Sequence, residues 1–147
     1  MKTIKCDISE VTLLEDNVLF IDIQQEKEFE LKDFNQLKVA AERLGKGKKF
    51  FNIIKVGYLT NPNDESMEAS CSPEGSQYKY ADAFVIQSLA QKIIANVYLK
   101  IKKPTVPTKF FNNIEAAHKW IEELKISISF DEQSYHAVDH CNIAYGS

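Results

Sequence analysis

The sequence predicts an α/β domain: a single mixed, mostly parallel sheet of about five strands with about four helices. Three observations lead there. From residue 31 onward, apolar runs rich in β-branched and aromatic residues alternate with segments whose apolar positions recur every three or four residues. The connections between them are only a few residues long, which implies right-handed crossovers between parallel strands. A strand pair before residue 24 adds antiparallel character, and five strands is close to the usual sheet size.

Val18-Leu19-Phe20-Ile21-Asp22-Ile23 is the first clear strand, since no helical stripe can be drawn through it. Residues 11–14 are its hairpin partner, with residues 15–17 as the connection. Phe34, Leu37, Ala41 and Leu44 then line one face of a helix that Gly45 stops. Phe50-Phe51-Asn52-Ile53-Ile54-Lys55-Val56 is nearly continuous in apolar residues, as a strand buried on both faces should be. Asn61-Pro62-Asn63-Asp64 ends that strand's path and offers caps for a short helix through Ser66, Met67 and Ala69, closed by the turn at residues 73–75.

Ala81-Asp82-Ala83-Phe84-Val85-Ile86-Gln87 reads as a further strand, and Ser88-Leu89-Ala90-Gln91 has the form of a capping box opening a helix. Leu89, Ile93, Val97 and Ile101 form the stripe expected to face the core, widened by Ile94 and Tyr98 and ended by Lys102-Lys103-Pro104. Residues 107–111 suit an edge strand, where a leading proline is tolerated. Asn112 or Asn113 caps the last helix, with Ala117, Trp120, Ile121 and Leu124 on its apolar side. Residues 1–125 thus form the domain. Residues 126–147 form a tail, whose alternating Ile126-Ser127-Ile128-Ser129-Phe130 predicts an extra strand or a dimer arm.

Composition narrows the function classes. In 147 residues, 44% are hydrophobic and 27% charged, which excludes collagen-like and disordered chains. The longest stretch without charge, residues 83–91, is about half of the ~20 apolar residues a membrane span needs. Acidic residues interrupt the region where a signal peptide's apolar run would lie, so a cytoplasmic protein is expected. A net charge of −3 argues against nucleic acid as the principal partner. Cys6, Cys71 and Cys141 are odd in number and widely spaced, which fits neither a disulfide framework nor a metal motif.

Gly45-Lys46-Gly47-Lys48 follows a helix instead of opening one and lacks phosphate-loop spacing, and no cofactor fingerprint exists elsewhere. Lys102, Lys103 and Lys109, with Lys100, cluster after the helix over residues 88–101 and are the candidate anion-binding group, although lysines there also complement a helix dipole. His136 and His140 have metal-compatible spacing without enough further ligands, so no metal is expected. Cys71 or Ser66 with His118 as base is the best nucleophile pairing, but no elbow motif accompanies it, and no enzyme activity is expected.

The order of elements resembles the STAS domain, the fold of SpoIIAA-like anti-sigma-factor antagonists. Residues 81–124 are similar to the uncharacterised bacterial STAS/SEC14-like group. The likeness rests on Asn96-Val97-Tyr98-Leu99, on Lys103-Pro104, on Lys109-Phe110-Phe111 and on Ala116-Ala117-His118-Lys119-Trp120. The resemblance covers most of residues 18–125 and implies a non-catalytic regulatory or protein-interaction module, whose partner is another protein or a second copy of the chain. It also implies an alternative, a small-molecule or lipid-binding domain with a pocket between helices and sheet. In antagonists of this family the switch is a serine after an aspartate at the start of the short helix. Here Asp64-Glu65-Ser66 departs from the adjacent pair, so Asp64 and Ser66 are the nearest regulatory or phosphosite equivalents.

Overall fold

The computed structural model describes residues 2–15 and 17–134. The expected hairpin consists of β2 (Ser9–Glu15) and β3 (Val18–Ile23), antiparallel from Ser9 opposite Ile23 to Glu15 opposite Val18. Asn17 makes the turn at φ 59°, a left-handed conformation that asparagine tolerates because its short side chain bonds locally. A strand not expected from the sequence, β1 (Thr3–Lys5), pairs with the outer edge of β2. After β4 (Glu28–Phe29) comes α1 (Leu31–Gly45), opened by a reciprocal cap between Glu30 and Asp33. Lys46, at φ 52°, takes the left-handed position after α1, so the stop lies one residue beyond Gly45.

β5 (Phe50–Val56), β6 (Asn61–Pro62), α2 (Asp64–Cys71), β7 (Lys79–Val85), α3 (Leu89–Val97), β8 (Thr108–Phe111) and α4 (Ile114–Ser134) complete the domain. α3 runs on into one π-helical turn, Tyr98–Lys102. The main sheet has six strands in the order β1-β2-β3-β5-β7-β8, with β3, β5, β7 and β8 parallel. β4 and β6 form a separate parallel pair, which sets the exits of β3 and β5 beside α2. Successive crossovers step in one direction across the sheet, so the right-handed rule leaves α1, α2 and α3 on one face.

Each sheet face has its own core. Leu19, Ile21 and Ile54 pack with Leu37, Ala41 and Leu44 of α1, and Ile86 and Phe110 pack with Ala95, Tyr98 and Leu99 beyond it. On the opposite face Phe51, Ile53, Ala83 and Phe111 meet Ala117 and Ile121 of α4. The nearly continuous apolar run of β5 is thereby explained, since both of its sides are covered.

Two expectations are corrected. Residues 126–134 continue α4, with Ile128 buried against the same core as Ile121. The alternation that suggested a strand is overridden because a helix seven residues further along returns Ile128 to the buried side. Residues 135–147, which hold His136, His140 and Cys141, lie outside the described residues. The second correction concerns α3. Leu89, Ile93, Val97 and Ile101 are exposed, and Gln91, Ala95, Tyr98 and Leu99 face inward instead. Apolar residues stand on two sides of that helix, so packing, not periodicity, chose the buried side.

Candidate functional site

Between the sheet and helices α1, α2 and α3 lies a cavity of about 150 Å³. Ile21, Ile54 and Phe84 of the sheet, Leu37 and Ala41 of α1, and Tyr98 after α3 supply most of its apolar wall. Its polar part comes from consecutive strands. Asn52 on β5 stands opposite Asp82 on β7 in the parallel register. Both point to the helix-covered face because Phe51 and Ile53 on either side of Asn52 belong to the α4 core.

Lys79, Asp82 and Asn52 form a buried chain. Lys79 Nζ lies 2.6 Å from Asp82 Oδ2 and 3.3 Å from both the carbonyl and the hydroxyl oxygen of Ser70. Asn52 Nδ2 donates to Asp82 Oδ1 at 2.9 Å. A carboxylate only accepts, so this bond sets the amide orientation and leaves the Asn52 carbonyl facing other groups. Asn52 is 7% exposed, and its Oδ1 finds no hydrogen-bond donor among the described residues. An unmet buried acceptor costs about 1–3 kcal/mol, which a suitable ligand donor recovers.

Tyr98 closes the cavity from the far side. Its ring packs edge-on against Phe84 and Phe110, and its hydroxyl is 2.8 Å from Ser70 Oγ. Burial first, then the nearby Asp82 and Cys71, hold this phenol well above its usual pKa, so it stays protonated and neutral. Burial also raises the Cys71 thiol, which makes it a poor nucleophile.

Gln91 ties the rim together. Its Nε2 donates to the carbonyls of Gly57 and Thr60 at 2.7 and 3.1 Å, and its Oε1 accepts from Gln87 N–H at 2.7 Å. Only the serine half of the expected capping box forms, Ser88 Oγ accepting from Gln91 N–H at 3.2 Å. The glutamine side chain has gone to the loop instead. Thr60 completes the junction through its hydroxyl, which donates to the Gln24 carbonyl and accepts from Lys27 N–H.

The residues singled out in the sequence do not gather into one site. Ser66 is 2% exposed, with its hydroxyl 3.0 Å from the Phe29 carbonyl and 2.9 Å from the Asn63 carbonyl. Such a hydroxyl is out of a kinase's reach in the folded chain. Asn63, not Asp64 or Ser66, caps α2 by accepting from Ser66 N–H. Asp64 instead pairs with Lys102 at 2.7 Å, and Glu68 joins them at 3.1 Å. Lys102 is therefore committed to α2, Lys103 is exposed at φ 52°, and Lys109 lies with its ammonium 5.7 Å from the Phe111 ring on the α4 side. The three lysines do not converge on an anion.

Nor do the nucleophile candidates meet a base. Cys71 packs against the core under α3, whereas His118 belongs to α4 across the sheet. His118 Nε2 is 3.0 Å from Glu15 Oε1 and 3.6 Å from Glu122 Oε1, and Lys125 lies 3.3 Å from Glu122. With a lysine already balancing the carboxylates, this is an ion-pair network tying β2 to α4. The His118 hydrogen bond is the main cause that holds the Glu15 carboxyl below its ordinary pKa. A lowered carboxylate pKa adds stability above the unfolded value, and that stability disappears as pH falls through the folded one. Replacing His118→Ala should raise the Glu15 pKa in an NMR titration, and an unmoved pKa would show that the bond is absent in solution.

A family model described as a domain of unknown function, DUF7793, matches residues 12–125. The chain belongs to the DUF7793 family. Every residue named above as lining the cavity falls inside that span. No curated protein and no solved structure gives a significant match. Among the described residues, no helix is long and apolar enough to cross a membrane.

The cavity was only partly legible beforehand. A pocket between helices and sheet is an expected alternative, but Asn52 and Asp82 read merely as strand residues, and Lys79 falls before the strand expected at residues 81–87. Asn52 is a polar residue inside an otherwise apolar run, flanked by Phe51 and Ile53. That interruption was the available signal, since a polar side chain in a doubly covered strand must find a partner.

Proposed function

We propose that this DUF7793 domain is a non-catalytic, STAS-like module that binds a small, mostly apolar molecule carrying one hydrogen-bond donor. The observation that carries this reading is an apolar cavity lined in part by Asn52, whose buried carbonyl meets no hydrogen-bond donor among the described residues. An apolar cavity of about 150 Å³ is the size that accepts benzene in an engineered protein core. The body of the ligand is therefore about one ring, or an alkyl segment of similar bulk. Its hydroxyl or N–H donates to Asn52 Oδ1, while Lys79 and Asp82 hold the asparagine in place. The separation of Cys71 and Ser66 from His118 by the sheet supports a role without covalent chemistry.

Benzyl alcohol and toluene are suitable probes because they differ by the donor alone. Calorimetry or NMR titration should show benzyl alcohol binding about 3- to 10-fold more tightly, the worth of one net hydrogen bond. Asn52→Leu should remove that preference. Ala41→Phe, which fills the cavity from α1, should abolish binding of both. If neither probe perturbs the resonances of cavity residues, or if Ala41→Phe binds as the wild type does, the assignment fails.

A further inference from the structure

The outward side of α3 carries an apolar ridge. Leu89, Ile93, Val97 and Ile101 are 76%, 58%, 37% and 68% exposed, and they recur every fourth residue along the helix and its π-helical turn. Tyr58 and Leu59, each 47% exposed, stand beside its start, because Gln91 bonds the carbonyls of Gly57 and Thr60 on either side of them. Leu59 is held at φ 62°, a conformation unusual for a bulky residue. Contiguous exposed apolar surface of this kind marks an interaction site more often than scattered single residues do.

Charge identifies the partner. Residues 83–114 contain five lysines and no carboxylate, in a chain of net charge −3. Lys102 is taken up by Asp64 and Glu68, a cluster with one excess negative charge, whereas Lys92 and Lys100, with Asn96 and Asn112, line a shallow groove along one side of α3. The ridge is thus apolar along its crest and basic along its edge.

We propose that this ridge seats the protein peripherally on an anionic lipid bilayer. The inference goes beyond the cavity ligand and does not depend on it. In a two-fold contact each residue meets a different residue of the other copy, so the lysine edge would need carboxylates on the same segment, and residues 83–114 hold none. Protein interfaces are depleted in lysine, and their strongest contacts come from Trp, Tyr and Arg, whereas the four crest residues are all aliphatic and only flanked by Tyr58. A bilayer surface fits both parts. Aliphatic side chains enter the boundary between headgroups and acyl chains, lysines meet the phosphates, and a tyrosine such as Tyr58 sits at headgroup level.

Co-sedimentation of the full chain with phosphatidylglycerol vesicles, compared with phosphatidylcholine vesicles, tests the proposal. Partitioning should favour phosphatidylglycerol by at least about tenfold and weaken with added salt. Lys92→Gln and Lys100→Gln should each lower it about fivefold. Ile93→Glu should abolish it while leaving the circular dichroism spectrum unchanged, because Ile93 is exposed. Failure to partition at low salt, equal binding to both lipids, or an Ile93→Glu variant that binds normally would each overturn the proposal. A ridge-dependent dimer found without vesicle binding would assign the surface to a second copy and overturn it equally.

Discussion

Asp82→Ala is expected to lower the unfolding free energy by about 3–5 kcal/mol, the cost of leaving one member of a buried ion pair without its partner. Lys79 and Asp82 are 7% and 1% exposed, and their 2.6 Å contact is the centre of the polar chain under the cavity. Truncating Asp82 strands the ammonium with only the Ser70 oxygens at 3.3 Å. It also removes the acceptor for Asn52 Nδ2. For a domain of this length, each kcal/mol shifts the melting temperature by about 2–4 °C, so a fall of roughly 10–15 °C should follow. The double replacement Lys79→Met with Asp82→Leu removes both charges and should recover most of the loss. Urea unfolding of the three proteins decides the matter, and a single variant losing under about 1 kcal/mol would mean that water reaches the pair.

The second large effect is expected from Gly57→Ala, at about 3 kcal/mol or more. A Cβ there would sit 2.3 Å from the Gln24 carbonyl carbon, 2.4 Å from its oxygen and 2.4 Å from Gln25 N. All three are backbone atoms, so no flexible side chain can yield. Relief requires parting the ends of β3 and β5, where Ile23 stands opposite Val56. That movement also pulls on the Thr60 bond to Gln24 and on the Gln91 bond to Gly57. Ordinary overpacking costs about 1–3 kcal/mol, and the loss of these bonds adds to it. Gly47→Ala, with nothing within 4 Å of the added atom, serves as the comparison: its φ of 78° adds backbone strain but no collision. A Gly57→Ala protein as stable as Gly47→Ala would show that the two strand exits are looser than their geometry suggests.

The longer strands were legible because each is built from residues that suit only one arrangement, whereas β1, β4 and β6 span two or three residues and carry no such run. The apolar run at residues 50–56 corresponds to β5 residue for residue, and the turn at Asn17 separates β2 from β3 as its chemistry requires. Helix starts were legible where a short polar side chain could meet a free N–H, at Ser88 to the residue and at Asn63 and Asn113 as one of several neighbouring candidates. The candidate site was much less so. Ser66 and Asp64 drew notice through resemblance, yet one is buried against the Phe29 carbonyl and the other is an ion-pair partner. Asn52 and Asp82 lie 30 residues apart, and nothing local says that strand register will set them side by side.

The chain's own pattern of apolar spacing, glycines and caps specified an α/β domain with a mostly parallel sheet, because those signals act within a few residues of one another. Which side of α3 faces the sheet was beyond that pattern, since both sides are apolar enough to be buried. Tertiary packing settled it: Ala95 and Tyr98 fit against Phe84 and Phe110, and Gln91 satisfied the carbonyls of a loop over 30 residues away. The same contacts left an aliphatic ridge outside, and the register of β5 against β7 left an unmet amide carbonyl within, both products of long-range assembly.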